Sequence, residues 1–167
     1  MIFLIGMPAS GKSYWGKKIS QEFQLPLADM DELIVQAEGN IAQLFEQKGD
    51  EYFRQKEKEI LQHVVATYPF NTIVACGGGT PVYHSNITTM KANGCVVYLR
   101  ADLDILSDRI ADDVTRPLLA SADKYQRLQQ LFAEREEIYR QADYILQSGE
   151  LSLPTFAKII QECTNRH

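Results

Sequence analysis

The chain has 167 residues, 45% of them hydrophobic and 23% charged, with a formal net charge of -5. That length and usage suit one compact domain with its own core and exclude long disordered stretches. The negative balance argues against a general nucleic-acid surface, which needs clustered cations, so any anionic ligand has to be held by local arginines.

The first element is the apolar run Met1 to Ile5, which reads as a strand and leads into Gly6-Met7-Pro8-Ala9-Ser10-Gly11-Lys12-Ser13. Lys12 to Phe23 reads as the helix that follows. The spacing G-x-x-x-x-G-K-S between a strand and a helix is the pattern of a phosphate loop, whose backbone N–H groups and helix dipole surround a nucleotide's phosphates. Lys12 would reach the outer phosphates, and the Ser13 hydroxyl would ligate magnesium. With the loop starting at Gly6, the sequence leaves no room ahead of it for a signal peptide, and no apolar run reaches membrane-spanning length. A cytoplasmic protein, away from membranes, is expected.

Leu25 to Asp31 reads as a short second strand, with Asp29 and Asp31 on one alternating face directed at the phosphate loop. Asp29 is the candidate to hold magnesium through water, and Asp31 to accept a substrate hydroxyl's proton; a helix cap and a turn acid are the alternative. Helical patterns follow over 32–37, 41–47 and 51–67, interrupted at Gly39-Asn40 and Gly49-Asp50. In the last of these, Arg54 sits at the edge of an apolar face, with Glu57 one turn on to orient it or merely to pair with it.

Thr72 to Cys76 is a β-branched apolar run ending in Gly77-Gly78-Gly79, a buried strand and then a turn that exposes backbone N–H groups to a ligand or is simply tight. Helix is expected over 82–92, strand over 95–99, and a helix from Asp102 with Arg109 near its end, as a dipole partner or an adenine-stacking group. Residues 111–124 hold no sustained period and read as an excursion in which Arg116 is either a lid arginine that closes on the transferring phosphate or a solvated one. A strong helix over 125–142, a strand over 144–146 and a helix over 152–163 complete the chain. Arg135 occupies a position in the apolar stripe of the 125–142 helix. A buried guanidinium requires an anion, supplied by an internal acid or by a substrate carboxylate in a bidentate clamp. Cys76, Cys95 and Cys163 form no metal pattern and are expected to be reduced and mostly buried.

Strands alternating with helices imply a three-layer α/β/α fold with five parallel strands and ligands beyond the strands' carboxyl ends. One domain over 1–167 is expected, with a substrate-binding subdomain at about 31–60 and a lid at about 111–124.

Five ordered blocks then resemble the shikimate kinases: GMPASGKS at 6–13, DMD at 29–31, FRQKE at 53–57, GGG at 77–79, and RPLL at 116–119 followed by REEIY at 135–139. The resemblance implies a P-loop kinase fold and transfer of phosphate from ATP, with Mg2+, to the 3-hydroxyl of shikimate. It implies that Lys12, Asp31 and Arg116 are catalytic and that Ser13 and Asp29 serve the metal. Gly6, Ala9, Ser10, Gly11, Lys12, Ser13, Tyr14, Arg109 and Arg116 would meet the nucleotide; Asp31, Arg54, Gly77, Gly78, Gly79 and Arg135 would hold shikimate. A monomer is expected. Two departures stand out: Ala9 replaces a glycine common in the family, and Gln147-Ser148-Gly149-Glu150 lacks an adenine-side arginine. Another small-metabolite kinase of the same fold, or a nucleotide-binding module without turnover, is the alternative.

Overall fold

The strands form where the chain is apolar on both faces. In the computed structural model, which describes residues 1–111 and 124–165, β1 (Ile2–Ile5) is buried at every position. So is β3 (Ile73–Ala75), and β4 (Cys95–Arg100) is buried up to its last residue. Burial on both faces is what a parallel sheet covered by helices imposes. With β2 (Leu27–Asp29) and β5 (Tyr144–Gln147) the sheet has the order β2-β3-β1-β4-β5, and all its pairs are parallel. β1 is therefore central, with Phe3 in register with Val74 on one side and Val96 on the other.

Alternation along β1 divides the core. Phe3 and Ile5 pack with Val74, Val96 and Tyr98 beneath α3 (Ile41–Thr67), α4 (Asn86–Asn93), α5 (Leu103–Ala111) and α6 (Lys124–Tyr139). Ile2 and Leu4 face the other way, towards Ile19 of α1 (Lys12–Phe23) and Phe156 and Ile159 of α7 (Leu153–Thr164). The result is the expected three-layer, five-stranded parallel fold. A smaller cluster of Ile34, Leu44 and Phe53 joins α2 (Met30–Glu38) to the first half of α3.

Several boundaries differ from expectation for local reasons. β2 stops at Asp29 because that carboxylate turns to cap α2, accepting from the backbone N–H groups of Asp31 (3.1 Å) and Glu32 (3.4 Å). Asp31 thus lies in a helix's first turn and not on a strand face shared with Asp29. The break expected at Gly49-Asp50 is present: Gly49 is non-helical (φ 81°, ψ 176°), and a kink there divides α3 into two helical stretches. α4 starts only at Asn86, because 77–85 is taken up by consecutive turns closed by Thr80 N–H to Gly77 O, Val82 N–H to Gly79 O and Asn86 N–H to Tyr83 O. α6 ends at Tyr139, short of the expected Ala142.

The cysteine expectation is corrected: Cys95 and Cys163, 68 residues apart, form a disulfide between the start of β4 and the end of α7. Only Cys76 is a free thiol. Spacing held no sign of the pair, since the fold alone brings those two ends together. The expected excursion and lid, with Arg116, lie outside the described residues. Among the described residues no helix is long and apolar enough to cross a membrane.

Gly16 lets α1 settle onto the sheet: a Cβ there would sit 3.1 Å from Leu27 Cδ1 and 3.5 Å from Ala75 Cβ. Gly16→Val is expected to destabilise the fold by about 1–3 kcal/mol through overpacking, read as a lower urea midpoint at unchanged m-value.

Candidate active site

The turn from β1 into α1 is built on backbone that few residues adopt. Gly6 has φ 143°, and a Cβ there would stand 2.6 Å from Leu99 O and 2.9 Å from Ser10 Oγ. Gly11, the residue before α1, has φ 95°. Ala9 has φ 62°, the left-handed conformation expected where relatives carry glycine. The first turn of α1 holds no acid, so its exposed N–H groups keep their positive field. Lys12 is buried in the loop, its Nζ donating to Met7 O at 2.7 Å and lying 3.4 Å from Ser10 Oγ.

A cleft of about 240 Å³ opens on this loop. Ala9, Gly11, Lys12, Ser13 and Tyr14 line it on the phosphate-loop side; Asp31, Cys76 and Gly78 form the opposite one; Arg109 of α5 stands at the rim. Arg109 Nη1 donates to Ala9 O at 3.2 Å. Burial pushes the Cys76 thiol well above its ordinary range, so it lines the cleft as a neutral group and supplies no nucleophile.

The triglycine turn organises the far side, because each glycine stands where a functional group needs the space. A Cβ on Gly77 would meet Glu57 Oε1 at 2.8 Å and Asp31 Oδ1 at 3.0 Å. On Gly78 it would meet Pro8 Cδ at 3.0 Å and Arg135 Nη1 at 3.3 Å, and on Gly79 it would collide with the Arg54 guanidinium. Asp31, Arg54 and Arg135, far apart in sequence, therefore gather round one turn beside the phosphate loop.

Both arginines are buried, at 6% and 4% exposure. Arg54 Nη1 pairs with Glu57 Oε2 at 2.7 Å and Nη2 with Asp50 Oδ1 at 3.0 Å. Glu57 also accepts from Thr80 Oγ1 at 2.6 Å. Burial works against the charge on Arg54, but Glu57 and Asp50 outweigh it and hold the guanidinium above its ordinary range. The same burial pushes the Glu57 carboxyl up, against the pull of Arg54 and Thr80. Arg135 pairs with no carboxylate among the described residues. One turn on, Tyr139 donates its phenol to Gly78 O at 2.5 Å. Burial raises that phenol to about 12, with Arg135 pulling the other way, so it remains a donor at neutral pH.

From sequence, Tyr139 has no role of its own beyond its place in the REEIY block; the missed signal is its i+4 spacing from Arg135, which puts both on one helix face. Thr80 carried no such signal. For magnesium, the hydroxyl of Ser13 and the carboxylate of Asp29 are hard oxygen donors of the right kind. Asp29 receives both its capping bonds on Oδ1, and Oδ2 accepts none from the described residues.

Two stability effects follow. Glu57→Ala removes the buried partner of the Arg54 guanidinium, leaving it the exposed Asp50 alone, and takes away the acceptor of Thr80; it is expected to cost about 3–5 kcal/mol, measured by denaturant unfolding. Ala9→Gly relieves a left-handed alanine and is expected to stabilise by up to about 1 kcal/mol in the same assay.

The family model for shikimate kinase matches residues 8–165. A shikimate kinase of Clostridium botulinum is 40% identical over 148 residues, covering 87% of this chain and 85% of its own length. One from a Sulfurihydrogenibium species is 35% identical over 162 residues, covering 96% and 93%. Among solved structures, shikimate kinase from Acinetobacter baumannii in complex with shikimate superposes with a TM-score of 0.86 at 28% identity, covering 96% of this chain and 90% of that one. With its phosphate loop, its triglycine turn and the arginines gathered round it, this chain belongs to the shikimate kinase family.

Proposed function

We propose that this protein transfers the γ-phosphoryl group of ATP to the 3-hydroxyl of shikimate, giving shikimate 3-phosphate and ADP on the route to the aromatic amino acids. The observation that carries the reading is the convergence of Asp31, Arg54 and Arg135 on the triglycine turn beside the phosphate loop. A small carboxylic acid with several hydroxyls fits this set: two guanidiniums for the carboxylate, and a carboxylate with the backbone of the triglycine turn for the hydroxyls.

Asp31 orients the reacting hydroxyl and takes its proton as the new bond forms. Lys12 leaves its seat on Met7 O to neutralise charge on the transferring group, aided by the N-terminal field of α1. Gly6, Ala9, Ser10 and Gly11 present the loop backbone to the phosphates. Tyr14 and Arg109 border the nucleoside, with Arg109 stacking on the adenine and the 147–150 turn contributing backbone. That turn is closed by Glu150 N–H to Gln147 O at 2.8 Å. Ser13 and Asp29 would hold Mg2+, which supplies charge neutralisation at the phosphates. Arg116 is assigned the closing contact on the transferring phosphate, within a lid at about 111–124 that moves with a substrate subdomain at about 31–60. Transfer is direct and in line, since no activated nucleophile lines the cleft among the described residues.

We read the protein as a monomer working as a single domain. ATP and a soluble biosynthetic acid as substrates favour the cytoplasm.

Asp31→Asn is expected to lower kcat by about 10²- to 10⁴-fold with little change in the KM for ATP. Arg135→Ala is expected to lower kcat/KM for shikimate by about 30- to 1,000-fold, in keeping with the loss of a buried charged partner. Steady-state ADP release measures both. Normal turnover in the two variants would overturn the assignment.

A further inference from the structure

We infer that Tyr83, through its ring, is a positioning residue for Arg54 that fixes the plane of the guanidinium fork presented to the substrate carboxylate. The inference rests on the reading of Arg54 as a shikimate ligand. Arg54 Cζ lies 4.5 Å from the centre of the Tyr83 ring, nearer than to Phe53 (5.2 Å) or Phe45 (5.8 Å). A guanidinium at that distance over an aromatic face is held by the ring's quadrupole, most strongly where water is excluded. The two ion pairs, to Glu57 through Nη1 and Asp50 through Nη2, hold the fork along its edges. They do little to restrain tilt about the line joining those nitrogens. Nε does not add a restraint, for it is buried without a hydrogen-bond partner. Of the three rings near the cation, that of Tyr83 lies nearest and limits tilt most.

Core packing does not account for Tyr83, which is 36% exposed. Its backbone setting is also costly. The next two residues, His84 (φ 53°) and Ser85 (φ 57°), are both left-handed without being glycine. Ser85 precedes α4 but makes no side-chain capping bond, so the stabilisation a serine ordinarily brings there is absent. Consecutive strained residues persist where the surrounding structure requires what they deliver. What this turn delivers is the Tyr83 ring on the guanidinium. The same loop brings Gly79 against Arg54 and is closed by Val82 N–H to Gly79 O at 2.9 Å, so 79–83 wraps the arginine as one unit.

The test is steady-state kinetics of Tyr83→Ala, Tyr83→Phe and Tyr83→Leu, varying shikimate at saturating MgATP and then the reverse. Tyr83→Ala is expected to raise the KM for shikimate about 5- to 10-fold while kcat and the KM for ATP stay within about two-fold. Tyr83→Phe, which keeps the aromatic face, is expected to restore the wild-type KM. Tyr83→Leu fills the volume without a π face; it is expected to recover any thermal stability lost in the alanine variant but not the KM. An unchanged KM in Tyr83→Ala, a KM rescued by leucine, or an equal loss in phenylalanine overturns the inference. Wild-type turnover with shikimate in the same assay tests the underlying reading separately. Its absence overturns both, whereas normal wild-type turnover with an unaffected alanine variant overturns the inference alone.

Discussion

The site depends on keeping two guanidiniums charged in a place with almost no water. Desolvating a cation is expensive, and the cost is met differently for each. Arg54 is held by Glu57 and Asp50, and Glu57 is in turn satisfied by Thr80, so a local network carries that charge. Arg135 pairs with no carboxylate among the described residues and faces Gly78 and Tyr139 instead. That contrast gives the two arginines different jobs. In the proposed reaction, the first would be preorganised before substrate arrives, and the second would gain most from an incoming anion.

Bringing such groups together is the work of the sheet. Because β1 lies in the middle, the phosphate loop leaves the centre of its carboxyl edge, flanked by β3 with the triglycine turn and β4 with Leu99. The Gly6 contact with Leu99 O and the Gly78 contact with Pro8 show how tightly those neighbours meet. α3 then carries Arg54 and Glu57, and α6 carries Arg135 and Tyr139, onto the face that Phe3 and Ile5 define. Side chains separated by more than a hundred residues meet because the strand order folds their supports over one edge.

Much of this was legible in the sequence, and the reasons differ by element. The phosphate loop has a fixed spacing tied to a fixed backbone, so Gly6 to Ser13 and the helix at Lys12–Phe23 could be read directly, whereas Ala9 stood out only through the resemblance, as a departure from a family glycine, and its φ of 62° emerges only in the structure. Apolar runs marked β1, β3 and β4, and alternation marked β2, although β2 ended early because Asp29 turned to cap α2, a competition between strand and cap that alternation does not encode. Arg135 stood out as a charge on an apolar stripe. Tyr139 did not, since a tyrosine on such a stripe looks like core until its hydroxyl finds Gly78 O. The Cys95–Cys163 pair and the approach of Tyr83 to Arg54 depend on long-range geometry or on an irregular turn, and neither has a periodic or compositional signature.

The central claim is that the two arginines select a carboxylate-bearing hydroxy acid for phosphorylation at this phosphate loop. It is tested most directly by measuring ADP release with MgATP and shikimate, set against shikimate methyl ester, quinate, gluconate and nucleoside monophosphates. The account predicts turnover with shikimate far above the other acids and the nucleotides, with the ester strongly impaired because its neutral head no longer engages Arg54 and Arg135. Equal turnover of ester and acid, or preference for gluconate or a nucleotide, would contradict it.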